Sequence, residues 1–270
     1  MTARRVLPAG AGVLLFLAAW KIASAVIGMD IILPPPEGVL AETVGIVLTE
    51  EFAGILLATV LRALGAFGIA TLGAGALGVA AGRLPWLERL LSPIMAIIRA
   101  TPVISVILLA LIWFHTGVVP VIVALLMIVP IIYGNVLTGI HETPAELLEM
   151  ARLFRVPRGR VLRSIYLPAL RPYLAAALET AAGITWKVIV AAEVLAQPQL
   201  GIGAELQGAR VLLATSRVFA WTIIAVVVSG LFHLLLTAVL RGSAARRRSA
   251  ARRRSGRAAP RAGTASGGEA

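Results

Sequence analysis

Cysteine is absent from all 270 residues. That excludes a disulfide framework, a thiolate metal site and a thiol nucleophile. Charge is scarce too: 14% of the residues are Asp, Glu, Lys or Arg, against about 25% in soluble domains. Lysine occurs only at Lys21 and Lys187, and neither stands in a Gly-x-x-x-x-Gly-Lys-Ser/Thr loop. The chain therefore has no P-loop to cradle nucleotide phosphates, and any ATP-driven work must draw on a separate polypeptide. His115 falls at the end of an apolar run and His233 inside one, with no metal-ligating or basic cluster around either. No clustered His, Asp or Ser suggests a membrane-embedded enzyme.

Apolar sequence is what the chain has in abundance. Hydrophobic residues make up 59%, gathered in blocks of the ~20-residue length that crosses a bilayer. The blocks predict an all-α, polytopic membrane protein of about six transmembrane helices, near 8–28, 55–82, 90–113, 118–140, 172–195 and 218–240. Arginine collects in 141–171 (Arg152, Arg155, Arg158, Arg160, Arg163, Arg171), in the turn 83–89 and at both termini. The connection 29–54 has no Lys or Arg and carries Asp30, Glu37, Glu42, Glu50 and Glu51. An excess of Lys and Arg marks the cytoplasmic side. Six crossings put every basic segment there, giving a multi-pass cell (inner) membrane protein with both termini cytoplasmic. Arg4 and Arg5 ahead of the apolar run 13–19, then Ala23-Ser24-Ala25, resemble a signal peptide, but the segment serves equally as a retained first helix.

The net charge of +12 is concentrated at one end. Nine of the 25 Lys and Arg lie within 241–261, in a stretch dominated by Ala, Ser, Gly and Arg. This divides the chain into a membrane domain, 1–240, and a basic cytoplasmic tail, 241–270, too poor in large apolar side chains to form a core and expected to be disordered. Arginines beside a membrane helix favour anionic membrane lipid. No aromatic residue interleaves them, so nucleic acid is not an expected partner. The second span carries Gly65, Gly68, Gly73, Gly75, Gly78 and Gly82. Small residues let helices approach closely in lipid, either within one subunit or between two. Between spans one and two, Leu33-Pro34-Pro35-Pro36 denies helix and favours a stiff extended segment.

Residues 141–171 exceed the roughly 2–8 residues that join two helices. Thr143, Pro144 and Glu146 are spaced as a capping box with proline at the first helical position. The helix should run through Leu147, Leu148, Met150, Ala151 and Phe154 until Pro157 ends it. A second short helix should follow to Leu167 and stop at Pro168. Leu147, Met150, Ala151 and Phe154 form an apolar face that can anchor in a partner's groove, with Glu149 and Arg152 setting register. The alternative is an amphipathic helix lying on the membrane.

Here the sequence resembles a family. Glu149-Met150-Ala151, three residues, Arg155, nine residues, then Ile165-Tyr166-Leu167-Pro168 is similar to the loop that marks permease subunits of binding-protein-dependent ABC importers. That pattern reads Glu-Ala-Ala, three residues, Gly, nine residues, Ile-x-Leu-Pro. Met150 replaces an Ala and Arg155 the Gly. Leu33-Pro34-Pro35-Pro36, Arg99-Ala100-Thr101-Pro102, Trp113-Phe114 with Gly117, Ala192-Glu193 and Leu200-Gly201-Ile202-Gly203 look like the nitrate, sulfonate and taurine branch. The resemblance implies a type I importer permease fold. It also implies a non-catalytic subunit whose loop docks on an ABC ATPase subunit through Glu146, Glu149, Met150, Ala151, Arg152, Phe154 and Arg155. It implies no cofactor on this chain, ATP and Mg being held by the partner ATPase. Further implied partners are a periplasmic or extracellular substrate-binding protein and a second permease copy in a homodimer. The cargo would be a small anion such as nitrate, a sulfonate or taurine, or a small neutral vitamin precursor.

Ionisable residues inside apolar spans are costly and suggest a pathway or an internal pair. Arg62, Arg99, Lys187 beside Trp186, and Glu193 are the candidates for a substrate path; Glu179 is a further ionisable residue, and Lys21 and Arg62 can also snorkel from span ends. Lys187 either pairs with a carboxylate or lines the route of an anion. Glu193 lies ~9 Å along the same helix and Glu179 ~12 Å, so pairing within that helix is geometrically poor. An ion-gradient-driven secondary transporter is the competing reading; it would show inverted repeats with broken helices, and no convincing internal repeat is present.

Overall fold

The computed structural model describes residues 3–257, with side chains described for 11–240. Among these residues every regular element is a helix: α1 (Ala3–Ile27), α2 (Pro36–Val47), α3 (Phe52–Ala81), α4 (Pro85–Ala100), α5 (Val103–Trp113), α6 (Val119–His141), α7 (Ala145–Leu153), α8 (Arg158–Val161), a π-helical turn (Leu162–Tyr166), α9 (Leu167–Ala196), α10 (Ile202–Val211) and α11 (Thr215–Arg257). Four spans are long and apolar enough to cross a bilayer alone: α3, α6, Arg158–Ala196, and Thr215–Leu240 within α11. The bent pair α4 and α5 makes a fifth if the two are counted as one broken span, and Ala11–Ile27 of α1 is a shorter apolar helix.

The core forms where α6 packs between α3 and α9. On α3 the buried positions Thr59, Ala63, Ala66, Ala70, Ala74, Gly78 and Ala81 recur every three or four residues, which places them on one face. All are small, so α6 comes close. A Cβ on Gly78 would lie 2.9 Å from Val136, and one on Gly82 2.6 Å from Ile140. These two glycines therefore serve packing within the subunit, whereas Gly65, Gly68, Gly73 and Gly75 have open space beside them. The contacts advance in step, 78 with 136 and 82 with 140, so α3 and α6 run parallel. Gly139 faces Tyr173 while Thr59 reaches Glu193, so α9 runs antiparallel to both.

Several sequence expectations need correction. The third span is not one rod: α4 and α5 meet at 101°. The cause is Pro102, which disfavours helical geometry at the residue before it, and Thr101 is accordingly extended at ψ 126°. The expected extended segment 33–36 is non-helical only as far as Pro35. Pro35 is extended, but Pro36 opens α2, a position proline favours because its missing N–H is not needed there. The capping box does not form: Pro144 is the cap residue of α7, without a side-chain bond, and the Thr143 hydroxyl donates back to the Gly139 carbonyl at 3.2 Å. Nor does Pro168 end a separate helix. The π-helical turn leads straight into α9, where Pro168 sits in the first turn and its missing donor costs little. The helix α11 itself extends to Arg257. Alanine and arginine are both strong helix formers. The rest of the tail, 258–270, lies outside the described residues.

Candidate functional site

The loop after α6 presents an uncovered surface. On α7, Leu147, Met150, Leu153 and Phe154 are 42%, 51%, 79% and 71% exposed. Helical spacing puts them on one side, flanked by the exposed Glu146 and Glu149. Ala151 does not belong to that surface: it is buried against its own loop. Leu153 was missed by the sequence reading, though its i+3 spacing from Met150 was a signal. Arg152 and Arg155 point elsewhere, into a cavity shared with Arg83 and Arg158.

The end of α7 explains the residue that replaces glycine. Arg155 has φ +49°, in the left-handed region. Its amide donates to the Arg152 carbonyl at 3.0 Å, and the Val156 amide donates to that of Ala151 at 2.9 Å. This is a Schellman stop, whose left-handed position glycine fills without strain. The turn thus survives the substitution, at a conformational cost of about 1 kcal/mol.

The candidate path residues separate into two groups. Arg62 and Glu193 form one buried assembly at the opposite end of the bundle. The Arg62 Nη1 donates to Glu193 Oε1 at 2.6 Å and to the Leu200 carbonyl at 2.8 Å, and its Nε donates to the Gly117 carbonyl at 3.1 Å. Glu193 is fully buried. It also accepts from the Thr59 hydroxyl and the Gly203 amide, each at 3.0 Å, while Thr59 Oγ1 accepts from the Ile202 amide at 2.9 Å. Glycine is required here: a Cβ on Gly201 would meet the Glu193 carboxyl at 2.8 Å, and one on Gly203 the Val190 carbonyl at 2.4 Å. Thr59, absent from the sequence candidates, stands one helical turn before Arg62. These bonds tie α3 to α9 and to the connections at Gly117 and Leu200; Glu193 and Thr59 are buried, and Arg62 is partly exposed on the single subunit. Trp186 is buried in the same core.

Lys187 and Arg99 face outward. Lys187 is exposed on the single subunit and forms no ion pair or hydrogen bond among the described residues. Pairing with Glu193 is excluded by that carboxylate's other partners, and Glu179 does not reach it. The face around Lys187 is lined by the exposed Ala176, Thr180 and Ala191. Arg99 donates to the Pro130 carbonyl at 2.8 Å, lying over Gly134, where a Cβ would come within 2.6 Å of its Nη2. Among the described residues no group of His, Asp or Glu could hold a metal.

Comparison with known proteins fits this geometry. Residues 74–248 match the family described as binding-protein-dependent transport system inner membrane component. The chain is 28% identical over 228 residues, 82% of each protein, to the taurine transport system permease protein of Escherichia coli (strain K12). It is 29% identical over 221 residues to a putative aliphatic sulfonates transport permease protein of Bacillus subtilis (strain 168), covering 80% of this chain and 78% of that one. The fold also resembles a chain of the MetNI methionine ABC transporter in an inward-facing conformation. The TM-score is 0.54 at 17% identity, covering 72% of this chain and 99% of that one.

Proposed function

The chain belongs to the binding-protein-dependent transport system inner membrane components, as an ABC importer permease of the nitrate, sulfonate and taurine branch, and from that premise we propose how it works. It forms the translocation path for a small anion, hydrolyses no ATP itself, and takes its cargo from a separate substrate-binding protein. The arginine-rich end, with α7, faces the cytoplasm, together with both termini. A second copy completes the path. The observation that carries this reading is the bare apolar row Leu147, Met150, Leu153 and Phe154 on α7, the shape of an anchor for an ATPase groove. Glu146 and Glu149 flank it and set register. ATP and Mg belong to that ATPase.

Lys187 lines the path. An ammonium in mid-span cannot rest against hydrocarbon, and it has no carboxylate partner in its own subunit, so the face around it must meet the second copy or water. Small neighbours leave room for both. Reconstitution of the permease with its ATPase and binding protein tests both roles. Lys187→Met should assemble normally yet lose anion uptake, and Lys187→Arg should keep part of it. Phe154→Asp should weaken ATPase association by about 2 kcal/mol or more. Full uptake by the first variant removes Lys187 from the path; full ATPase retention by the last removes α7 from the docking surface.

A further inference from the structure

A cavity of about 690 Å³ opens at the α7 end of the bundle, between the turn after α3, α7 and the π-helical entry to α9. Arg83, Arg152, Arg155 and Arg158 line it, and no carboxylate does. Among the described residues none of the four guanidiniums forms a salt bridge or a side-chain hydrogen bond. Arg83 lies over the Tyr166 ring at 4.9 Å from its centre, which holds that charge in place. Four cations gathered without a counter-charge repel one another unless an anion joins them. Planar guanidiniums match the oxygens of phosphate in particular.

Two further features narrow the ligand. Arg155 sits in a left-handed backbone position that glycine would fill without strain. Arginine there places a guanidinium on the cavity wall that glycine cannot supply, so the strained choice adds charge to this cavity. The site also stands where two apolar spans end on the α7 side: Arg83 follows the last turn of α3, and Arg158, Leu162 and Tyr166 lie in the first turns of the span Arg158–Ala196. Leu148 and Leu162 add an apolar side to the lining. We propose that this cavity binds the phosphate group of an anionic phospholipid from the leaflet on the α7 side. The arginines hold the phosphate oxygens and the leucines the adjoining glycerol and acyl carbons.

The test needs neither ATP nor transport, so it can fail while the importer reading stands, and the reverse. Full-length protein in neutral detergent is equilibrated with mixed micelles of phosphatidylglycerol or phosphatidylcholine, and bound lipid is counted by native mass spectrometry. The wild-type chain should retain phosphatidylglycerol over phosphatidylcholine by about tenfold, because both offer the phosphate oxygens but the choline cation of the second is repelled by the four arginines. Arg155→Gly, which relieves backbone strain and so keeps the fold, should remove most of that preference, and Arg83→Gln should act in the same direction. Equal retention of the two lipids by wild type, or an undiminished preference in both variants, would overturn the proposal. Displacement of the lipid by millimolar inorganic pyrophosphate would overturn it in favour of a soluble phosphate compound. Expulsion of the lipid on adding the ATPase subunit would overturn it in favour of acidic side chains of that partner.

Discussion

Arg62 lies near the start of α3 and Arg83 just beyond its end, and their surroundings differ in kind. Arg62 meets a fully buried carboxylate and two carbonyls, with Gly201 and Gly203 removing every side chain that would hold the partners apart. Arg83 stacks on Tyr166 and shares a cavity with three more cations. One end of the same three-helix core is electrically complete within the subunit. The other carries charge and apolar surface that only something outside the subunit can satisfy.

Removing the carboxylate breaks the closed end. Glu193→Ala leaves Arg62 and Thr59 buried without their acceptor, a loss of about 3–5 kcal/mol for a buried pair robbed of one member. The variant should show a large fall in melting temperature in detergent. An unchanged midpoint would mean that the closed end does not hold the fold together. At the open end the sign reverses. Arg155→Gly should stabilise α7 by about 1 kcal/mol by relieving the left-handed backbone, read as slower hydrogen exchange at the Arg152 to Val156 amides; faster exchange there would contradict the strain. The smallest effect concerns an exposed pair, Lys21 with Glu37, whose side chains are 57% and 59% accessible. The hydrogen bond from Lys21 holds the Glu37 carboxyl below the usual glutamate range. Any stabilisation it gives is present above that usual range and is lost as pH falls through the lowered value. Acidification should therefore loosen α1 from α2 slightly, while Lys21→Met should weaken the pH dependence. A pH response as large as the Glu193→Ala loss would erase the distinction between buried and exposed pairs.

How much of this could be read beforehand differs between the two ends. The α7 end was legible, because its pattern is local: Glu149, Met150, the position of Arg155 and Pro168 lie within one short loop. Even there, Pro168 was misread: it stands in the first turn of α9, where its missing donor costs little. At the closed end the residues were each visible, but as unrelated fragments. Arg62 meets Gly117, Glu193 and Leu200 across separations of 55, 131 and 138 residues, and no periodicity links positions so far apart. Arg62 and Glu193 were consequently read as separate candidates and not as one hydrogen-bonded pair. The elbow at Thr101 was available from the residue before Pro102, and the apolar length of 90–113 concealed it.

That elbow behaves as a mechanical joint. The Thr101 amide donates back into α4, to the Ile97 carbonyl at 3.1 Å, and the Val106 amide donates to the Pro102 carbonyl at 3.3 Å on the α5 side. Pro102 has no amide hydrogen, so none of its own spans the joint. Arg99 pins the end of α4 to α6 through the Pro130 carbonyl. Both rods are anchored, α4 through Arg99 and α5 through Ile107 and Ala110, which are buried in the core. A change of angle between them would break no hydrogen bond of either ladder, so what holds the elbow is packing: Ile107 and Ala110 would have to leave the core before Trp113 and Phe114 at the far end of α5 could move.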